Sequence, residues 1–186
     1  MVHVANVIMN SSICICSKVV GGVSIGKLLR SEIDGRQCNI MKGKVCQVGT
    51  DQDIMKGKED GGFIQMATEL SKDPAQTLTV DASEWDGVEL DVHFRGEQEK
   101  ESFDVHIKNT SCERRFACSY RATFEVHPGK WQTVRLPFKD FAGHGPGADE
   151  SQFDRSELRR LSIVAIGKPM EVYFGVGKVA FYKDAA

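Results

Sequence analysis

The sequence predicts an all-β fold, a single antiparallel β-sandwich of the jelly-roll kind with at most one or two short helices. Three observations carry that expectation. Apolar and polar residues alternate with a period of two in run after run; clusters of Gly, Pro, Asp and Asn bound those runs; and helical periodicity is weak. A sandwich is the economical way to bury one face of so many short strands. With 186 residues and 41% hydrophobic content, the chain can bury one sizeable core and is marginal for two. One domain is therefore expected over residues 20–183, behind an N-terminal segment, residues 1–19, expected to be poorly ordered or incomplete.

Residues 1–17 carry neither Lys nor Arg. They thus lack the charged start of a secretory signal and the Arg-rich amphipathicity of a transit peptide, so either the protein is not exported or a presequence lies outside this sequence. Strands are expected near residues 26–33, 37–48, 62–68 and 76–80. The turn pair Asp86-Gly87 starts the clearest one, in which Val88, Leu90, Val92 and Phe94 alternate with Glu89, Asp91, His93 and Arg95. Phe103, Val105 and Ile107 repeat the pattern, as do Phe116, Cys118, Tyr120, Ala122, Phe124 and Val126. Further strands are expected at 131–136, 161–166 and 170–182. Residues 154–160 form the one good helix candidate, a short polar turn capped by Asp154 or Ser156. The charged or Gly-bearing loops 51–61 and 142–152 are where a rigid sandwich would carry a binding surface.

If residues 88–95 and 101–108 paired as a hairpin, His93 would face Asp104, Asp91 would face His106 and Glu89 would face Lys108. Such complementary pairs stabilise a ladder by roughly 0.2–1 kcal/mol each, which explains the pattern as a solvated face without a ligand.

The remaining motifs argue against catalysis. Residues 21–27 read G-G-V-S-I-G-K, the first seven positions of a phosphate-binding loop, but Leu28 stands where a Ser or Thr hydroxyl would hold Mg²⁺. A glycine-rich turn packed beside a strand is the better reading. The six cysteines, Cys14, Cys16, Cys38, Cys46, Cys112 and Cys118, are irregularly spaced and are expected to be reduced thiols. There is no G-x-S-x-G elbow and no H-E-x-x-H pair, and no catalytic residue, cofactor or metal is expected. The formal charge of −2 gives no basic field to attract nucleic acid or anionic lipid, and no apolar run is long enough to span a bilayer. The arginine sets Arg114, Arg115, Arg121 and Arg155, Arg159, Arg160 could grip phosphate or an acidic protein surface.

Several motifs share an order and spacing. They are Val20-Gly21-Gly22-Val23-Ser24; Gly61-Gly62-Phe63; Trp85-Asp86-Gly87-Val88; Trp131 through Val134, Leu136, Pro137 and Phe138 to Phe141; and the closing residues 172–182. Together they resemble the complex I intermediate-associated protein family, whose domain is similar to a galactose-binding-like β-sandwich. The resemblance runs from about Val20 to Tyr182 and makes Gly21, Gly22, Ser24, Gly61, Gly62, Phe63, Trp131, Leu136, Pro137, Phe138 and Phe141 structural. It departs from the family at Lys18, where an acidic residue is expected nearby, and at Gly143-His144-Gly145, where an arginine-glycine step is expected. It implies a non-enzymatic, chaperone-like assembly factor or accessory protein of a membrane-bound respiratory NADH dehydrogenase, or of a plastid complex in photosynthetic relatives. An intracellular location, mitochondrial or plastid, follows from it, as does docking to protein subunits. Arg114, Arg115, Arg155, Arg159, Arg160 and His144 are the candidate docking residues. Two alternatives remain: a carbohydrate-binding module, which would need an exposed aromatic platform at Trp131 or Trp85, and an enzyme on a sandwich scaffold.

Overall fold

The structure, a computed structural model, describes residues 3–6, 12–16, 24–46, 62–71, 79–112, 115, 118–145, 147–148 and 153–184. Its strands are β1 (His3–Asn6), β2 (Ile13–Cys16), β3 (Ile25–Ile33), β4 (Arg36–Val45), β5 (Phe63–Glu69) and β6 (Gly87–Phe94). They continue as β7 (Glu101–Asn109), β8 (Ser119–Val126), β9 (Trp131–Pro137), β10 (Ala142–His144), β11 (Leu158–Ile166) and β12 (Met170–Lys183). The strands form two sheets in which every pairing is antiparallel. The first runs β3-β4-β12-β6-β9 with β1 added to β12, and the second runs β10-β8-β7-β11-β5-β2. The all-β sandwich read from the alternation is the observed fold.

The central strands turn their apolar phase inward, because a two-residue period puts alternate side chains on opposite faces. Val88, Leu90, Val92 and Phe94 from the first sheet meet Phe103, Val105 and Ile107 from the second in one buried cluster. Phe103 sits 4.3 Å from Phe174 and 5.6 Å from Phe94, ring centre to ring centre. A second aromatic group closes one end of the core, where Phe138 packs on Phe141, Phe153 and Phe181. Burial of such side chains stabilises the fold by about 1.5–3 kcal/mol each.

Three expectations are corrected. First, β6 and β7 do not pair: β6 lies between β12 and β9, and β7 lies between β8 and β11 in the opposite sheet. Glu89 consequently stands beside Arg135, His93 beside Trp131, Asp104 beside Thr123, and Lys108 beside Arg160. Second, residues 154–160 form no helix. The Asp154 carboxylate accepts hydrogen bonds from the Ser156 N–H (2.8 Å) and hydroxyl (2.7 Å), an Asx turn that launches β11 at Leu158. The one short helix described is a 3₁₀ turn at Phe138–Asp140. Third, Cys112 and Cys118 are joined in a disulfide, with Cα atoms 5.0 Å apart, rather than reduced. Of residues 1–19, His3–Asn6 pairs with β12 and Ile13–Cys16 pairs with β5, and 1–2, 7–11 and 17–19 lie outside the described residues. Of the strand expected at 76–80, Val80 makes an isolated bridge to Leu158, while 72–78 lie outside the described residues, as does Phe116.

Candidate functional site

The family-motif residues knit the sheets together. Ser24 is fully buried, and its hydroxyl both accepts from the Cys46 N–H (3.0 Å) and donates to the Cys46 carbonyl (3.3 Å). Gly62 packs so closely here that a Cβ would overlap the Cys46 carbonyl and the Ser24 hydroxyl. The start of β3, the end of β4 and the start of β5 therefore meet at one point, with half-buried Phe63 opening β5. Leu136, Phe138 and Phe141 are core residues, and Pro137 stands opposite Gly87. Gly21, Gly22 and Gly61 lie outside the described residues, as does loop 51–61.

Trp131 is on neither the core side nor an open platform. It projects from the outer face of the first sheet, where the tip of the β3–β4 hairpin folds over it. That tip turns at Asp34 and Gly35, both left-handed (φ 50° and 77°), the conformation of the two-residue turns that join strands most tightly. The Trp131 indole N–H donates to the Ile33 carbonyl (3.1 Å), and the Arg36 guanidinium lies 5.4 Å from the ring centre. Two glycines of β12 make room, since a Cβ on Gly177 would touch the Trp131 ring at 3.2 Å and one on Gly175 would lie 2.9 Å from Ile33. Ile33, Cys38 and Ile40 thus form a small second core with Leu29, Trp131 and Tyr173.

His93 is buried in this layer. It occupies the outward phase of β6 but is only 3% exposed, with its Nε2 3.7 Å from the Asp34 carboxylate and its ring 5.6 Å from Trp131. Burial holds its pKa below the ordinary histidine value; Asp34 opposes that shift and Arg95 adds to it. His106, on the outer face of the second sheet, is likewise lowered, first by burial, against the raising influence of the Asp104 carboxylate 3.6 Å from its Nε2.

The arginines expected to dock partners are mostly occupied in the fold. Arg155 donates to the Trp85 carbonyl (2.9 Å) and lies 5.5 Å from the Phe138 ring centre. Arg159 is buried, and the Arg160 Nε bonds to Glu69 across the β11–β5 pair (2.6 Å). Arg115 packs against Gly147, its carbonyl accepting from the Lys108 ammonium (2.7 Å). His144 is exposed on β10 opposite Ser119, and Arg114 lies outside the described residues. Arg160, Arg115 and His144 lie around Lys108 and His106 on the second sheet, whereas Arg155 and Arg159 are engaged inside the fold.

A surface that the sequence reading missed lies at the other end of the first sheet's outer face. Ile25, Lys42, Gly43, Lys44, Arg95, Glu171, Val172 and Tyr173 line an open depression of about 440 Å³. Tyr173 forms its aromatic wall, with the Lys42 ammonium 5.6 Å and the Arg95 guanidinium 4.7 Å from the ring centre. Lys44 pairs with Glu171 at 3.5 Å, and Ile25 is 64% exposed. The Asp34-Gly35 turn was the available signal, because a two-residue loop fixes the register that brings these side chains together. Among the described residues no cluster of His, Cys, Asp and Glu could hold a metal ion, and no helix is long and apolar enough to cross a membrane.

The fold is similar to that of several carbohydrate-binding modules. A family 11 module of the cellulosomal cellulase Lic26A-Cel5E of Clostridium thermocellum superposes with a TM-score of 0.64 and 13% identity, covering 97% of this chain and 95% of the module. The family 11 module from that organism in complex with a β-1,3-1,4-mixed-linked tetrasaccharide gives 0.55 and 13%, covering 97% and 86%. A family 30 carbohydrate-binding module gives 0.59 and 16%, covering 99% and 90%. No curated protein matches the chain significantly. At this identity the likeness establishes the fold alone. Residues 8–175 match the complex I intermediate-associated protein 30 (CIA30) family, and the chain belongs to that family.

Proposed function

We propose that this protein is a non-enzymatic assembly factor or accessory protein of a membrane-bound respiratory NADH dehydrogenase, or of a plastid complex, and that it acts by docking to protein subunits. The match of residues 8–175 to a family named for complex I intermediates carries the reading. A mitochondrial or plastid location belongs to the same proposal. Fold alone assigns no function, so the docking mechanism draws its support from the surface. A rigid double sheet presents a depression with cations, an aromatic ring and an exposed isoleucine, a mixture suited to protein contact. Affinity purification in mild detergent, with mass spectrometry of co-migrating proteins, tests it: NADH dehydrogenase subunits are expected, and their absence counts against the reading.

Carbohydrate binding is the second reading, favoured by the structural neighbours, one of which is a carbohydrate-binding module in complex with a mixed-linked tetrasaccharide. The aromatic residues weigh against it. Trp131 lies under the hairpin tip, Trp85 packs against the core, and two cations already stand over the Tyr173 ring. Saturable binding of that tetrasaccharide, lost on Tyr173→Ala, would support it.

A further inference from the structure

The depression beside Tyr173 sits in an unusual electrostatic setting. Lys27 stands directly opposite Lys42 in the β3–β4 ladder, Ile25 stands opposite Lys44, and Lys42 stands opposite Tyr173 on β12. Lys27, Lys42, Lys44 and Arg95 thus gather about a depression in which Glu171 is the one carboxylate among the described lining residues, in a chain whose formal charge is −2. Like charges facing each other across a ladder destabilise it, so Lys27 and Lys42 cost stability where they stand. Among the described residues neither Lys27, Lys42 nor Arg95 has an ion-pair partner. Arg95 and Lys42 are instead held over the Tyr173 ring, which gathers positive charge at the mouth of the depression.

The neighbouring backbone narrows the choice of ligand. β3 is the last strand on its side of the sheet, pairing in its sheet with β4 alone among the described residues. Such an edge offers a row of main-chain donors and acceptors to an added extended chain. Exposed Ile25 and the Tyr173 ring offer apolar contact beside the cations. Backbone edge, apolar contact and positive charge together fit a polypeptide better than a sugar or a lipid headgroup.

We infer that this face is the docking site for an acidic, extended segment of a partner protein. The segment's carboxylates meet Lys27, Lys42 and Arg95, and an apolar side chain enters the depression between Ile25 and Tyr173. This deepens the assembly-factor reading and rests on it for the partner's identity, though not for the chemistry of the site.

The test uses the full chain and a short fluorescein-labelled peptide of alternating glutamate and leucine, read by fluorescence anisotropy. Saturable binding that weakens with added salt is expected, with none to the lysine-for-glutamate version. Lys42→Glu and Arg95→Ala should each weaken it by roughly fivefold or more, while Lys139→Glu, on the exposed 3₁₀ turn, leaves it unchanged. Lys27→Glu provides a signature that a merely structural lysine would not give. It should weaken peptide binding yet hold or raise the melting temperature, by up to roughly 4 °C, because it replaces a like-charge pair with an opposite one. Absence of saturable binding overturns the inference, as does binding indifferent to Lys42→Glu. Lys42-dependent binding to phosphatidylserine vesicles without peptide binding overturns it in favour of a lipid surface. Peptide binding that holds while the purified protein recovers no dehydrogenase subunits leaves the acidic-segment site standing and removes the assembly reading. The reverse pattern removes the site alone.

Discussion

Glu89 shows how one residue is legible in type but not in partner. Its place on the polar phase of β6 was readable from alternation, yet the side chain is only 5% exposed and accepts from Lys178 (2.7 Å) and Arg135 (2.8 Å). These partners come from β12 and β9, far away in sequence, so no local pattern could name them. Lys178, foremost, holds the carboxyl below its ordinary pKa, with burial opposing and Arg135 reinforcing. Glu89→Gln should cost about 1–3 kcal/mol in urea unfolding, the range for losing charge-assisted hydrogen bonds at a buried position. His93 gives a second prediction at this scale. Its folded pKa is lowered, so the unfolded chain takes up a proton more readily, and stability present above the unfolded value near 6.5 is lost as pH falls toward the folded value. His106 acts in the same direction. The melting temperature should therefore drop between about pH 6.5 and 5, before the carboxylates titrate, and His93→Gln should flatten that drop. A pH series of thermal melts checks it; an unchanged slope in the variant would show that His93 does not contribute.

The β3–β4 hairpin is the element whose position matters most. The strands themselves, and the Asp34-Gly35 turn between them, could be read from sequence because the turn chemistry is local. That its tip would fold across the sheet onto β9 could not. The fit depends on Gly175 and Gly177, which look like ordinary strand glycines until Ile33 and Trp131 are seen resting above them. The β6–β7 connection failed for a related reason. Alternation tells which side chains share a face, but six residues between Phe94 and Glu101 can close a hairpin or carry the chain to the opposite sheet. Gly177→Leu should lift Trp131 from the sheet and break its bond to the Ile33 carbonyl, with a cost of about 1–3 kcal/mol. In a Trp85→Phe background the remaining tryptophan's emission should shift to longer wavelength as its ring meets water. An unshifted spectrum with full stability would mean that the hairpin tip is not held by this packing.

At the scale of the whole molecule, fold class was the most legible property, because periodicity recurs in nearly every strand and each repeat reinforces the others. The candidate site was the least legible. The arginines singled out for their density in sequence lie on β11, on the turn before it and beside β8, several of them engaged inside the fold. The lysines that do gather come from β3 and β4, brought beside Arg95 and Tyr173 only by sheet order. Loops dominated the expectation of function, whereas the depression beside Tyr173 belongs to a sheet face and its edge. A charge reversal at Arg159 should accordingly act on stability more than on docking, since it places a carboxylate in a buried position, and a chemical denaturation midpoint would register it. On the proposed reading, this sandwich works by holding subunits of a respiratory NADH dehydrogenase or its plastid counterpart. Tagged protein purified from its own cells in mild detergent, with co-migrating proteins identified by mass spectrometry, tests that most directly. Dehydrogenase subunits recovered with the wild-type chain and depleted with Lys42→Glu are the predicted result; a purification that recovers no such subunit, from a protein that instead binds the mixed-linked tetrasaccharide, would contradict it.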